Sequence, residues 1–188
     1  MQTSLPRLIA PWNALTLSKL LESAARSRGD DIAYIDAHDT QNWLHRSACG
    51  YNYRDLAQAA RNFARKLITM GLKRGDTVML VLPNAVEFPI AAYGAMMVGI
   101  VPVLASITYT PEKLRQIAEL SDAKAIITIA KIGDVELAST MRSIALQVYS
   151  IKAIASFGAD LPEGVIALDS WEEADLDDIN DHQPLCHI

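Results

Sequence analysis

Apolar residues recur along the chain in two alternating patterns that predict its secondary structure. In the first pattern they return every three or four positions, which is the spacing of one buried helix face. In the second pattern they form short runs, which are typical of strands buried in a sheet. The first pattern predicts helices over 16–29, 54–70 and 85–98, from Pro111 onward, and over 134–147.

The apolar runs between these helices predict strands. The runs lie at 31–37, 77–82, 100–105, 123–130, 151–157 and 164–168, and the segment 43–53 is expected to return as a hairpin partner of the first strand. Strands that alternate with helices at this rhythm form a mostly parallel sheet, because parallel neighbours need a buried crossover between them. The sequence therefore predicts an α/β fold with helices on both faces of the sheet.

Residues 88–107 carry no charge, so they could form either a membrane span or the interior of a water-soluble layer. A spanning helix needs about twenty continuous apolar residues, whereas glycines and a proline interrupt this stretch. Asn84 as N-cap with Glu87 three residues later resembles a capping box, and Pro89 is expected in the second helical turn, where it removes one backbone bond. The pattern favours a helix, a stop at Gly99 and a buried strand, and hence no transmembrane segment.

The composition is that of a globular protein. Of the 188 residues, 51% are hydrophobic and 21% are charged, which suits one domain with a sizeable core. The formal net charge of −5 argues against a nucleic-acid partner, since such proteins present a basic face. The two cysteines, Cys49 and Cys186, indicate a reducing compartment and a cytoplasmic location rather than a disulfide framework.

Few residues indicate a catalytic, phosphate-binding or metal-binding site. No group of glycines with a lysine resembles a phosphate-binding loop. His182, Cys186 and His187 lie close together in sequence, but a structural zinc site needs four ligands, so a tail without metal is favoured. Cys49 has no evident cation or helix N-terminus beside it that would lower its pKa, which favours a structural or surface thiol. We therefore predict no catalytic, nucleotide-binding or metal-binding residue in this chain.

From residue 169 the chain becomes acidic and polar, with the sequence "DSWEEADLDDINDHQP". Runs of charge are usually solvated rather than packed. We therefore divide the chain into an α/β subdomain over 1–168 and an acidic linker over 169–188.

A series of short segments within residues 50–129 identifies a family. They are, in order, "YNYRDL", "GLKRGDTV", "LPNAVEF", "VGIVPV", "TPEKL" and "SDAKAIIT". Their order and spacing resemble the N-terminal region of AMP-forming acid–CoA ligases. These belong to the adenylate-forming superfamily, which includes acyl- and aryl-CoA synthetases, luciferases and peptide-synthetase adenylation domains. The resemblance implies that the fold is the N-terminal subdomain of such a ligase.

The resemblance implies a two-step reaction in a longer parent enzyme. ATP activates a carboxylic acid to an acyl-adenylate with release of pyrophosphate, normally with Mg²⁺, and a thiol, usually CoA, then displaces AMP. The phosphate-binding loop, the nucleotide-binding motifs and the catalytic lysine of the family are expected after residue 188, so that the linker 169–188 leads toward the loop. We therefore expect an N-terminal fragment that is inactive alone and binds no cofactor, with the remainder of the ligase as its partner.

Four residues are candidates for the border of an acyl or CoA channel. Many relatives have Lys or Arg where Met97 stands, near the CoA phosphates in some ligases, and many have Asn-Pro where Ser106 and Ile107 stand. Ser106, Thr108 and Tyr109 follow the carboxyl end of a predicted strand, where α/β sheets place ligands. An ordinary polar loop explains the same three residues.

Separation from a parent enzyme has a physical consequence for the fragment. One sheet face or edge loses its cover, so we expect an exposed apolar patch and self-association. The alternative function is a non-catalytic α/β scaffold or interaction domain. Within the ligase interpretation, the acid is a small carboxylic acid of fatty or aromatic metabolism that the residues do not identify.

Overall fold

The computed structural model describes residues 16–168. The helices of this part are α1 Leu17–Ser27, α2 Thr40–Leu44, α3 Tyr53–Thr69, α4 Glu87–Met97, α5 Pro111–Leu120 and α6 Leu137–Ala145. The strands are β1 Ile32–Ile35, β2 Gly50–Asn52, β3 Thr77–Leu80, β4 Val101–Leu104, β5 Ala125–Ile129, β6 Ala153–Phe157 and β7 Ile166–Ala167. Calls on the first fifteen residues and on 169–188, including His182, Cys186, His187 and the acidic linker, lie outside the described residues.

The main sheet has five strands in the order β4-β3-β5-β6-β7, and every neighbouring pair is parallel. Strand β3 lies inside the sheet, where Val78 pairs with Pro102 on one side and Ala125 on the other. The side chains of Val78, Met79 and Leu80 are fully buried, as the apolar run predicts. Strands β1 and β2 form a separate antiparallel pair. The predicted α/β class with a parallel sheet is confirmed.

The connections place helices on both faces of the sheet. The β3–β4 crossover runs toward one edge, while the β4–β5 and β5–β6 crossovers run toward the other. Because such crossovers are right-handed, α4 covers one face, and α5 and α6 cover the opposite face. Consistent with this, α4 packs against α3 and α1, whereas α5 packs against α6.

The uncharged stretch 88–107 folds as the predicted helix, glycine stop and strand. Helix α4 ends at Met97, Gly99 takes a left-handed φ of 72°, and β4 begins at Val101. In the middle of α4, a Cβ on Gly94 would lie 2.6 Å from the carbonyl oxygen of Ala60 in α3, so the two helices approach at a position that only glycine fits. Among the described residues, no helix is long and apolar enough to cross a membrane.

The predicted N-terminal cap of α4 is wrong, although the helix begins within two residues of the predicted position. The helix begins at Glu87 without a side-chain cap, and the Asn84 amide oxygen accepts a hydrogen bond from the Tyr34 hydroxyl instead. The Glu87 carboxylate pairs with Arg46 and forms no capping box. Pro89 therefore falls in the first turn, where its missing N–H has no helical partner to lose.

Two further expectations need correction. The segment 43–53 does return to pair with the first strand, but only through Gly50–Asn52, and its beginning belongs to α2. Strand β4 lies at the sheet edge rather than inside the sheet, so Val101 and Leu104 are exposed. The predicted caps Thr16 and Thr110 are confirmed, since their side chains accept hydrogen bonds from the backbone N–H of Lys19 and Lys113.

Candidate functional site

A crevice opens at the carboxyl ends of the central strands, where the chain leaves the sheet in opposite directions. Strand β3 leads into α4 on one face, and its neighbour β5 leads into α6 on the other face. Such a switch in direction parts the loops and leaves a cleft that α/β proteins use for ligands. The cavity at this place measures about 700 Å³. It is therefore the candidate functional site of the described part of the chain.

Loops from four regions of the sequence line the crevice. They come from the segment after α2, from the start of α4 and from the ends of β5 and β6. The lining residues are Leu44, His45, Arg46, Glu87, Ile129, Ala130, Lys131, Gly133, Asp134, Glu136, Gly158, Ala159 and Asp160. Four of them are carboxylic acids and two are permanent cations, so the lining is acidic overall.

Arg46 forms the best-connected part of the wall. Its Nε and Nη2 donate to the two carboxylate oxygens of Glu87, each at 2.7 Å, in a bidentate pair. Its Nη1 donates to Asp36 Oδ2 at 2.6 Å. The Glu87 side chain is largely buried, and that of Asp36 is fully buried. Arg46 therefore joins the segment between α2 and β2 to the residue after β1 and to the first turn of α4.

Asp36 also holds the backbone around it. Its Oδ1 accepts from the N–H of Val86 at 3.0 Å, and its Oδ2 accepts from the N–H of Cys49 at 3.1 Å. Burial on its own raises the pKa of Asp36, but the hydrogen bonds from Arg46, Cys49 and Val86 outweigh it and hold the pKa below its usual range. We name Asp36, Arg46, Cys49 and Glu87 the ionic cluster.

The cluster changes the expectation for Cys49. A cation does lie beside the thiol, since Arg46 Nη1 is 3.1 Å from Sγ, contrary to the sequence prediction. Burial, followed by the hydrogen bond that Sγ donates to Asp36 at 3.3 Å, nevertheless raises the pKa of Cys49 to about 11, against the opposing effect of Arg46. The thiol is therefore a structural donor and not an activated nucleophile, as the sequence indicated.

Two further polar side chains of the crevice, Lys131 and His45, also have partners. Lys131 Nζ lies 2.7 Å from Glu136 Oε1, and this partner raises the pKa of Lys131. His45 Nε2 lies 2.8 Å from the carbonyl oxygen of Gly133, which ties the segment after α2 to the loop after β5. No group of three or more potential metal ligands occurs within the described residues. The crevice thus offers a polar binding wall, but no nucleophile paired with a base.

The structure places the four predicted channel residues at two opposite ends of the sheet. Ser106, Thr108 and Tyr109 follow β4 at the carboxyl ends of the strands, where the Ser106 and Thr108 hydroxyls are hydrogen-bonded at 2.8 Å and Tyr109 is exposed. Met97 ends α4, which runs back along the sheet, so it lies at the amino ends. The adjacent Gly99 carbonyl there accepts from the N–H of Gly75 at 2.8 Å.

Sequence reasoning missed the residues of the ionic cluster other than Cys49. One signal was available, because Asp36 directly follows a predicted strand and Glu87 is the charge that borders the uncharged stretch. Arg46 gave no comparable signal, since it lies in an irregular segment. Its role depends on partners 10 and 41 residues away.

Known proteins similar to this chain are ligases. A 4-coumarate:CoA ligase 1 of Petunia hybrida is 31% identical over 135 residues, which cover 70% of this chain and 23% of that protein. A long-chain-fatty-acid–CoA ligase of Salmonella typhimurium is 31% identical over 129 residues, covering 68% of this chain and 21% of the relative. The chain thus aligns with about a fifth of the length of these curated relatives.

Solved structures of similar fold cover most of this chain. The apo structure of Mycobacterium smegmatis MbtA matches 77% of this chain and 25% of its own, with a TM-score of 0.65 and 27% identity. Acetoacetyl-CoA synthetase from Streptomyces lividans matches 90% of this chain and 27% of its own, with a TM-score of 0.75, and its 17% identity supports the fold alone. The family described as AMP-binding enzyme matches residues 21–185, most of the chain. This chain therefore belongs to the AMP-binding enzyme family.

Proposed function

We propose that the chain is the N-terminal part of an ATP-dependent, AMP-forming acid–CoA ligase. The parent enzyme activates a carboxylic acid as an acyl-adenylate and transfers the acyl group to CoA. The observation that carries this proposal is the family match over residues 21–185, which spans the parallel sheet and the crevice loops. The ligase names of the curated relatives support the same reaction class.

The reaction needs groups that the described residues do not provide. In the first step a carboxylate oxygen bonds to the α-phosphorus of ATP as the bond to pyrophosphate breaks, and in the second the CoA sulfur bonds to the acyl carbon as AMP leaves. A triphosphate needs free cations, backbone N–H donors or Mg²⁺ around it. Arg46 and Lys131 are already paired in an acidic lining. The crevice therefore does not fit ATP, and we assign the nucleotide and Mg²⁺ to later parts of the parent.

The acid is proposed only as a class. The names of the relatives refer to 4-coumarate, an aromatic acid, and to long-chain fatty acids. Both are small carboxylic acids, and this shared property is what we propose for the present chain. Ser106, Thr108 and Tyr109 remain candidates for the border of the acyl or CoA channel, and Met97 remains a candidate for a CoA contact without a positive charge.

The chain alone is proposed to be inactive and to depend on the remainder of the ligase, in the cytoplasm. The test is exchange of radiolabelled pyrophosphate into ATP, measured with a panel of aromatic and fatty acids. We expect no exchange with residues 1–188 and exchange with the complete product of the reading frame. Exchange by residues 1–188 would refute the inactivity. A complete product that binds neither ATP nor any acid would favour the non-catalytic scaffold instead.

A matched pair of variants tests the proposed role of Met97 in the complete enzyme. Met97→Arg restores a cation at this position and should lower the KM for CoA several-fold, without a change in pyrophosphate exchange. Met97→Leu keeps the position uncharged and serves as the control. An unchanged KM for CoA in Met97→Arg would remove this position from the CoA channel.

A further inference from the structure

The end of the sheet opposite the crevice exposes large apolar side chains. Leu120 is the last residue of α5, and Leu146 and Tyr149 follow the end of α6. Their exposed fractions are 88%, 76% and 103%. Helices α5 and α6 lie side by side on one face and run in the same direction, so their ends are neighbours. We name these three residues the apolar tips.

Basic side chains surround the same end. Lys73 and Arg74 precede β3, Lys124 precedes β5, and Lys152 precedes β6. Lys73, Lys124 and Lys152 line one groove of about 120 Å³ together with Asp76, so these residues lie close together although they come from separate parts of the sequence. We name Lys73, Arg74, Lys124 and Lys152 the basic rim.

The basic rim is only partly neutralised. Lys124 Nζ lies 2.6 Å from Asp122, and Asp76, which accepts from the backbone N–H of Lys73 at 2.7 Å, adds a second negative charge beside the four cations. The side chains of Lys73 and Lys152 make no ion pair with any residue of 16–168. A local excess of positive charge therefore stands on a chain whose net charge is −5. The crevice at the opposite end is acidic, so within residues 16–168 the two ends of the sheet carry charge of opposite sign.

We propose that the apolar tips and the basic rim dock this end of the molecule onto an anionic phospholipid surface. The tips are exposed side chains at or just after the ends of two neighbouring helices. A tyrosine and two leucines suit the boundary between headgroups and acyl chains. The surrounding lysines and arginine complement the negative surface potential. The inference is independent of the proposed ligase reaction.

The experiment is co-sedimentation of residues 1–188 with lipid vesicles at low and physiological ionic strength. The two vesicle types are phosphatidylcholine alone and phosphatidylcholine with about a third phosphatidylserine. We expect binding to the mixed vesicles that weakens with salt, and little binding to the neutral ones. The double variant Lys124→Gln/Lys152→Gln should lower the partition coefficient about tenfold or more, since each cation near an anionic surface contributes about fivefold.

The apolar contribution is tested separately. The double variant Leu146→Ser/Tyr149→Ser should weaken binding to mixed vesicles at high salt as well as at low salt, because insertion is not screened. The positions are exposed, so both double variants should retain the thermal unfolding midpoint of the unmodified chain, and we would measure that midpoint first.

Matched controls come from the other end of the molecule. Arg26→Gln/Lys113→Gln removes two exposed cations near the carboxyl ends of the strands, and Ile35→Ser removes an exposed apolar side chain there. Both controls should bind like the unmodified chain. Equal loss in the controls, equal binding to neutral vesicles, or no binding at all would overturn the proposal. Concentration-dependent dimers abolished by Leu146→Ser/Tyr149→Ser, without vesicle binding, would assign the surface to a second copy.

Discussion

The ionic cluster makes a sharp prediction about stability. Replacing Arg46 by Met removes the guanidinium but keeps much of the side-chain length, which leaves the carboxylates of Asp36 and Glu87 buried and unpaired. Removing one partner from a buried pair costs about 3–5 kcal/mol. Because the Arg46 side chain is 27% exposed to solvent, we expect the lower part of this range, a loss of about 3 kcal/mol in the free energy of unfolding.

A substitution on the acidic side of the cluster should lower the free energy of unfolding by a similar amount, for a different reason. Asp36→Asn keeps the shape, but its amide nitrogen replaces one of the two carboxylate oxygens and cannot accept. The variant therefore loses either the hydrogen bond from the N–H of Val86 or those from Arg46 and the N–H of Cys49. We expect a loss of about 2–3 kcal/mol, since Arg46 keeps its bidentate pair with Glu87. Because the two side chains are in contact, the double variant should be less destabilised than the sum of the single variants, by about 1–3 kcal/mol.

Urea unfolding followed by circular dichroism measures these losses. The midpoint should fall with little change in the slope against denaturant, because the variants alter stability rather than compactness. Arg54→Met is the matched control, since Arg54 pairs with Asp30 at 2.6 Å on the surface, and exposed pairs contribute about 0–1 kcal/mol. Equal effects of Arg46→Met and Arg54→Met would refute the idea that burial makes the cluster important.

Three further predictions concern pH, the thiol and the sheet edge. The lowered pKa of Asp36 contributes stability that is complete above the unfolded carboxyl pKa of about 3.9 and is lost as pH falls through the folded value. The free energy of unfolding of Asp36→Asn should therefore be lower at neutral pH, and it should fall less steeply with falling pH than that of the unmodified chain. An equally steep fall in both would contradict this. With a pKa of about 11, Cys49 should react with a thiol reagent at pH near 8 only after urea unfolding, in a Cys186→Ser background; rapid reaction of the folded chain would contradict its structural role. Val101→Lys/Leu104→Lys should reduce the self-association expected at the exposed β4 edge, as measured by sedimentation velocity; a chain that is already monomeric at high concentration would refute that expectation.

The sequence predicts the parts of this fold that local patterns determine. The alternation of helices with one apolar face and short apolar strands predicts the parallel sheet. Gly99 marks the end of α4, because the left-handed conformation there favours glycine. The predicted cap of α4 is wrong because a contact with a distant part of the chain competes with it. Asn84 has the right chemistry for a cap, but the Tyr34 hydroxyl, fifty residues away, occupies its side chain.

The candidate site depends on information that no local pattern carries. The crevice exists because β5 lies beside β3, and this strand order is a property of the whole chain. The same order places β4 at the edge, so its apolar run, which resembles those of the buried strands, leaves Val101 and Leu104 exposed. Periodicity distinguishes a strand from a helix, but it does not say which strand lies in the middle of a sheet.

Helix α4 explains why a charged cluster stands beside an uncharged stretch. The helix is covered by the sheet on one side and by α1 and α3 on the other, so it has no polar stripe that would fix its rotation and axial position. Two contacts supply that information instead. Gly94 allows α3 to approach at one point along the axis, and Glu87 binds Arg46 at the first turn. The ionic cluster therefore holds the wall of the crevice and at the same time sets the register of the apolar helix behind it.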